Sequence, residues 1–386
     1  MKTAMSAIIP AAGMSSRMSA LKPLMSMGET TVIEQVVRMF RSAGIEDICV
    51  VTGFRAEDVS SVLTPLNVRN VVNESWASGM FSSIKAGIDS LETDRDAFFI
   101  LPTDIPLVRP GTVRALLAAY QPAHILHPVF QGRRGHPPLI SSCFRQKILN
   151  FDGDGGLRSF MEQHELSAVD VPVADGGVLL DMDTPKDYQI IRSRYQRRHI
   201  PASDECMAMM TDIFHANKKI IDHCLAVAQV ALNLGKEMNS VGFDLDLDLV
   251  VAAGLLHDLA RGQVDHAGVA EQILNKLGYR EIAGIVGAHM DISLKEGESI
   301  REKEIVYLAD KLVCGSRLVT LNSRFGAKMK EHEANLDRRR DIKRRLGNAL
   351  KIKSQLEQWT GKSLESMMNK LTAEQTDDIC AQTRSC

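Results

Sequence analysis

Long apolar runs are missing from this chain. No stretch approaches the ~18 consecutive apolar residues that span a bilayer, and the opening MKTAMSAIIPAAG has too short an apolar core before its glycine for a secretory signal. No membrane association is expected, and a cytoplasmic location is. Paired cysteines are missing too. The seven cysteines (Cys49, Cys143, Cys206, Cys224, Cys314, Cys380, Cys386) are odd in number, scattered, and form no C-x-x-C, which fits reduced thiols in a reducing compartment. An excess of one charge is also lacking: a net charge of −2 over 386 residues offers no bulk attraction to nucleic acid. The local basic run Arg338–Arg340 with Arg344 and Arg345 is interleaved with acidic and apolar positions and lacks aromatics for base stacking. It reads as the solvated face of a helix.

What is present is an ordinary globular composition, 45% apolar and 24% charged, in a chain too long for one hydrophobic core. From Ser6 to about Arg198, short β-rich runs alternate with helical patterns, the signature of βαβ units and a mostly parallel sheet. Strands are expected at 7–11, 47–53, 68–73, 97–104 and 177–183, with shorter β pieces in AHILHPVF and PPLI. Helices are expected over 30–43, 55–63 and 79–91 and from Pro185, a residue well tolerated in a first turn. The charged, proline-broken RSRYQRRHIPASDE places a domain boundary there, with 1–198 as the first domain and 199–205 as a linker. Beyond it apolar residues recur at spacings of three and four over 206–239, 246–260, 264–277, 280–289, 301–320 and 329–370, so the second domain, 206–328, is expected to be all-α. Residues 329–386 form a charged helical extension whose last part, 371–386, is expected to fray.

The first strand runs into Ala11-Ala12-Gly13-Met14-Ser15-Ser16-Arg17-Met18-Ser19-Ala20-Leu21-Lys22. Small residues permit close backbone approach to a ligand, N–H groups of such a loop bind anions, and Arg17 and Lys22 add positive charge. This is the composition of a triphosphate site. Asp104 ends the strand LPTD, where open α/β sheets place ligands, and Asp181 and Asp183 end LLDMD. Two aspartates on neighbouring strand ends suit Mg²⁺, a hard cation that takes one or two carboxylates plus phosphate oxygens and water. Asp183, before Thr184-Pro185, has helix N-capping as its lesser alternative.

Six segments in order, AAGMSSRM…K (11–22), SGMFSSIKAG (78–87), LPTDIPLV (101–108), GRRGHPPLI (132–140), GDGGLRSFM (153–161) and LDMDTPKDY (180–188), resemble the MobA-like nucleotidyltransferases over about 1–195. The A-A-G and R-G-H-P segments are most similar to the molybdenum cofactor cytidylyltransferase branch. The resemblance implies an α/β Rossmann-like (GT-A-like) nucleotidyltransferase domain that transfers CMP from CTP to a molybdopterin-type cofactor and expels pyrophosphate. It also implies a molybdoenzyme or its maturation chaperone as partner. Carried over, Ala11, Ala12, Gly13 and Ser15 hold the nucleotide, Arg17 and Lys22 its phosphates, and Ser78, Gly79 and Ser82 line the base and ribose pocket. Asp104 and Asp183 hold Mg²⁺, and Gly135 and His136 face the acceptor. Ser19 stands where that family commonly has glycine, and Pro10 before A-A-G is a feature of sugar-phosphate nucleotidyltransferases. The alternative reading is therefore a sugar- or lipid-phosphate nucleotidyltransferase with a non-hydrolytic, regulatory second domain.

In the second domain His223, the doublet His257-Asp258, His266, His289 and Asp310 each lie on or beside an apolar helical face. One such histidine is usually a satisfied core residue, but this many imidazoles and carboxylates suit a transition metal (Fe, Mn, Zn or Co) that makes hydroxide available near neutral pH. Arg261, one turn after His257, and Arg317, two turns after Asp310, are candidates for neutralising substrate phosphates. The order His, His-Asp, His, His, Asp resembles the HD phosphohydrolase superfamily over about 206–325. That resemblance implies a core of His223, His257, Asp258 and Asp310, with His266 and His289 as the extras of two-metal members. It also implies Asp258 as a bridging, catalytic aspartate and a nucleotide-like substrate.

Overall fold

The computed structural model describes residues 4–15, 17, 18, 20–294 and 299–368. Ser16, Ser19, Cys380, Cys386 and the tail 371–386 lie outside the described residues. The chain divides into two compact units, Met1–Arg198 and His199–Cys386.

In the first unit, strand β1 (Met5–Pro10) is buried at every position and is flanked by β2 (Asp47–Thr52) and β4 (Ala97–Ile100), both parallel to it. A strand buried on both faces needs no polar alternation, which is why these segments read as continuous apolar runs. β3 (Arg69–Val72) extends the sheet beyond β2, again in parallel. On the far side of β4 comes β6 (Leu139–Ser141), antiparallel to both neighbours, then β5 (Ile125–Phe130) and β7 (Ala168–Pro172). Helices α1 (Val32–Ser42), α2 (Ala56–Leu63), α3 (Met80–Asp89), α4 (Pro110–Ala119), α5 (Gly156–Gln163) and α6 (Pro185–Gln196) complete the unit. α1 starts at a capping box in which Thr31 and Glu34 satisfy each other's backbone amides. α3 lies tightly on the sheet because Gly87 faces Ile8, whose Cγ2 a β-carbon there would meet at 2.5 Å. Ile8, Val51, Ile84, Phe98, Ile140 and Phe160 belong to the core between them.

The strand expected over 177–183 does not form. Asp175 accepts from the amide of Gly177, a 3₁₀ turn follows at Gly176–Leu179, and 180–184 is irregular. Its apolar character has another use. Met182 is fully buried with Met27, Val32, Ile191 and Tyr195, so the loop is anchored by the residue between its two aspartates.

The second unit is helical: α7 (Lys218–Asn239), α8 (Leu247–Leu256), α9 (His266–Leu277), α10 (Arg280–Gly287), α11 (Glu302–Leu312), α12 (Leu321–Glu331), α13 (Leu336–Thr360) and α14 (Leu364–Met368). α8 is central, buried at every position from Leu249 to Leu256, and Gly254 lets it approach α7 so closely that a β-carbon would lie 2.7 Å from the Cα of Ala228. Four sequence expectations are corrected. Ser203–Glu205, assigned to the linker, begin a helix (Ser203–Ala208) in which Asp204 and Glu205 are buried. The helix expected over 206–239 is interrupted, and α7 restarts where Asn217 caps it through the amide of Ile220. The helix expected over 246–260 stops at Leu256, leaving His257 and Asp258 in the turn that follows. The one expected over 301–320 stops at Leu312, because Val313–Cys314 and Arg317–Leu318 pair as a two-stranded hairpin.

Candidate active sites in the two units

In the first unit, the loop after β1, the loop after β4 and the anchored 180–184 loop converge on a cavity of about 490 Å³. Ala11, Gly13, Ser15, Arg17, Lys22, Asp104, Asp181 and Asp183 are among its lining residues. Ser15 shapes the first loop: it adopts a left-handed φ of 51°, accepts from the Met18 amide through its carbonyl, and accepts from the Lys22 amide through Oγ. A β-carbon on Gly13 would meet nothing within 4 Å, so its backbone faces open space. Lys22 is the electrostatic centre. Its Nζ lies 3.1 Å from Asp104 Oδ2 and 2.9 Å from Asp183 Oδ1, and Arg17 reaches Asp183 Oδ2 at 3.0 Å. Burial alone would lower the Lys22 pKa, but hydrogen bonds and charge from both aspartates raise it above the ordinary lysine value. The Lys22 hydrogen bond in turn holds Asp183 below the ordinary carboxylate range. Two carboxylates sharing one ammonium are a donor set that a divalent cation fits, with Lys22 then free to face phosphate.

A second cavity of about 830 Å³ shares Met80, Pro102 and His136 with the first and is lined further by Ser78, Gly79, His127, Gly135, Gly156 and Arg158. Ser78 and Gly79, assigned by resemblance to the nucleotide, thus share a cavity with Gly135 and His136, assigned to the acceptor. Gly135 sits where a β-carbon would come within 2.5 Å of the Val178 carbonyl oxygen, and the His136 amide donates to that same oxygen. Burial lowers the pKa of His136, keeping its ring neutral. Two expected residues are not brought to either cavity. Ala12 is buried, and its carbonyl accepts from the amide of Phe54. The Ser82 hydroxyl, in the first turn of α3, accepts from the Asn73 side chain and faces the carbonyls of Ser75 and Gly79 in the preceding loop. His127, buried on β5, escaped the sequence reading because it falls in no motif.

In the second unit the expected ligands come together from three helices, α7, α9 and α11, and from the turns after α8 and α10. Asp258 divides its two oxygens: Oδ2 lies 3.8 Å from His223 Nε2 and 3.6 Å from His257 Nε2, while Oδ1 lies 3.3 Å from His266 Nε2 and 3.7 Å from His289 Nε2. Asp310 Oδ1 closes the first group at 3.3 Å from His223 Nε2 and 3.9 Å from His257 Nε2. Two trios, His223-His257-Asp258 and Asp258-His266-His289, therefore have metal-ligand spacing and share one carboxylate. The protonation pattern supports the same conclusion. The Nδ1 atoms of His223, His257 and His289 face the carbonyl oxygens of Gly315, Gly254 and Val286 at 2.8, 2.8 and 2.6 Å. A carbonyl only accepts, so each Nδ1 donates and each ring turns its Nε2 towards the carboxylates. His257 Nε2 and Asp258 Oδ1 are buried without a hydrogen-bond partner. Burial holds His257 at a pKa of about 4, in the neutral form that ligates. The lone pair of His257 Nε2, aimed at carboxylate oxygens, is repulsive unless a cation lies between them, so the residues present fit bound metal.

Arg261 meets Asp258 Oδ2 at 2.7 Å, as its position one turn on suggests. Arg317, expected two helical turns after Asp310, stands instead exposed in the hairpin where α11 was expected to continue. Asp310 is met by two residues not singled out in the sequence, Lys311, 2.6 Å from Asp310 Oδ2, and Arg324 of α12, 3.3 Å from Asp310 Oδ1. The doublet Asp310-Lys311 was a visible signal for the first; nothing local marks the second.

The first unit thus has a mixed, mainly parallel sheet with carboxylates and a lysine at the strand ends, the construction of a nucleotidyltransferase, and the second is a helical His/Asp centre. The chain belongs to the MobA-like NTP transferases over residues 7–169 and carries an HD domain over 220–313. It is 26% identical to the molybdenum cofactor cytidylyltransferase of Escherichia coli, over half of this chain and 98% of the relative. It is 27% identical to the nicotine blue oxidoreductase of Paenarthrobacter nicotinovorans, over 46% of this chain and 91% of the relative. A solved nucleotidyl transferase from Methanothermobacter is similar at 25% identity and a TM-score of 0.46, over 50% of this chain and 99% of that one. Among the described residues no helix is long and apolar enough to cross a membrane.

Proposed function

We propose that the first unit transfers CMP from CTP to the terminal phosphate of a molybdopterin-type cofactor, and that the second is a metal-dependent phosphohydrolase acting on a nucleotide-like substrate. The observation that carries the first part is Lys22 held between Asp104 and Asp183 at the mouth of a loop rich in small residues. An acceptor phosphate oxygen attacks the α-phosphorus of CTP, a new P–O bond forms, the α–β bridge breaks, and pyrophosphate leaves. No covalent enzyme intermediate is required, so the protein's contribution is alignment and charge neutralisation. Lys22 and Arg17 take the departing phosphates, while Gly135 and His136, in the adjoining cavity, orient the acceptor. Asp104 and Asp183 would hold Mg²⁺, which supplies further neutralisation of phosphate charge. One similar protein is named an oxidoreductase, but two carboxylates around a lysine serve phosphate and metal rather than hydride chemistry. Pyrophosphate release from purified protein that depends on Mg²⁺, CTP and molybdopterin supports this reading. Release with UTP and a sugar phosphate, and none with CTP and molybdopterin, overturns it.

The shared carboxylate of Asp258 carries the second part. His223, His257, Asp258 and Asp310 would hold one transition metal, and His266, His289 and the other oxygen of Asp258 a second. Such a pair supplies an acidified water for attack on phosphorus. Hydrolysis of a phosphate ester or anhydride by manganese-loaded protein tests it.

A further inference from the structure

The hydrolase reading leaves several cations at the second site without a task. Beyond the HD domain, which ends at residue 313, α12 and α13 pack against α11 and bring basic side chains to the Asp310 side of the centre. Arg324 places Nη2 3.3 Å from Asp310 Oδ1, yet its Nη1 is buried with no partner. Arg345 of α13 has a buried, unpartnered Nε, and its carbonyl accepts from the hydroxyl of Tyr307 one turn before Asp310. Arg324 and Arg345 both act electrostatically on Lys311, which donates to Asp310 and to the carbonyl of His289. The neighbouring Arg344 is different: Asp291 and Asp341 engage it. On the opposite side of the centre, Arg261 sits on Asp258.

Asp310 therefore faces two cations, Lys311 and Arg324, and Arg345 adds its charge to the same cluster through Lys311. Guanidinium groups with buried, unsatisfied N–H bonds are costly unless an acceptor arrives. The planar fork of arginine matches phosphate oxygens, and α12 and α13 each bring one within electrostatic reach of Lys311.

We propose that Arg324 and Arg345 form an anion subsite beside the metal centre, so that the second unit takes a substrate with at least two linked phosphates rather than a monoester. This rests on the hydrolase reading of the unit. One phosphate lies at the His/Asp centre for attack and the next is gripped by Arg324 and Arg345, while Lys311 holds Asp310 and the His289 backbone in place. The helices after the HD domain are then part of the active site.

The test is calorimetric titration of the full-length protein, as purified and without added divalent ions, with tripolyphosphate. Two sites are expected. Lys22→Ala should remove the one in the first unit, and Arg324→Gln and Arg345→Gln should each weaken the other at least tenfold. Arg345→Lys should retain most of the affinity, and unchanged metal uptake by each variant shows that the centre is folded. Orthophosphate binding as tight as tripolyphosphate, or a second site indifferent to both glutamine variants, overturns the proposal. The two readings fail separately. If manganese-loaded protein cleaves neither p-nitrophenyl phosphate nor a nucleoside triphosphate while the arginine-dependent site persists, the hydrolase reading falls and the subsite stands.

Discussion

The backbone amide of Met182 donates to the carbonyl oxygen of Asp104 at 2.8 Å. One hydrogen bond thus ties the loop after β4 to the loop between the 3₁₀ turn and α6, and fixes how far apart Asp104 and Asp183 stand. With Met182 fully buried, neither carboxylate can drift without extracting an apolar side chain, a change that costs about 1.5–3 kcal/mol. Asp104→Asn keeps this backbone bond but removes the negative charge. Pyrophosphate release should fall by at least about a hundredfold, as expected when a metal-binding charge is lost, with the melting temperature nearly unchanged. Activity within a few-fold of wild type would remove Asp104 from the reaction.

Asp175 should matter without touching substrate. Its carboxylate accepts from the Arg109 amide at 2.8 Å, the Thr112 hydroxyl at 2.6 Å and the Gly177 amide at 3.0 Å, and it is buried. It holds the start of the loop that carries Asp181 and Asp183 against the first turn of α4. Asp175→Ala leaves buried donors unsatisfied and is expected to destabilise the unit by about 3 kcal/mol. It should also lower kcat for nucleotidyl transfer more than it raises KM for CTP. A denaturation series together with steady-state kinetics checks both.

Metal stoichiometry separates the shared ligand from the unshared ones. Asp258→Ala should abolish both metals, because each trio uses one of its oxygens, whereas His266→Ala should lose one and keep the other. Elemental analysis of the loaded variants decides. Loss of a single equivalent from Asp258→Ala would contradict the bridging arrangement.

A pH effect on stability should trace to His127. Burial first, and the charge of Arg134 second, lower its pKa from 6.5 to about 4. The unfolded chain therefore takes up this proton at higher pH than the folded one. The contribution is fully present above pH 6.5 and is lost as pH falls towards 4, by about 3 kcal/mol in total. His127→Gln should flatten that part of the profile. Equal pH slopes for both proteins in urea unfolding would rule His127 out.

What could be read from the chain tracks how local the information was. The clustering of the His and Asp residues in the second unit was legible because each sits on or beside an amphipathic helix, and that of the two aspartates in the first because ordered motifs carry them. Arg317 was misplaced because helical spacing was carried past Leu312 into a hairpin. Arg324 was invisible because it reaches Asp310 from another helix, a tertiary fact with no sequence spacing. The apolar run 177–183 imitated a strand because Met182 is buried, although one anchoring residue in an irregular loop suffices for that. His127 joins the larger cavity of the first unit because β5 pairs with β6 at Leu126 and Leu139 and the Gly135 amide donates to the Pro128 carbonyl, long-range contacts that no motif announces.

Three of the imidazoles in the second unit are oriented by main-chain carbonyls alone, those of Gly315, Gly254 and Val286. Their aim is inherited from the path of the backbone and borrows nothing from neighbouring side chains. On the reading proposed above, such a centre would tolerate changes in the residues around it, the two arginines included, without losing the aim of these rings. Changes confined to α12 and α13 would then alter what the site accepts while the backbone that aims its imidazoles stays as it is.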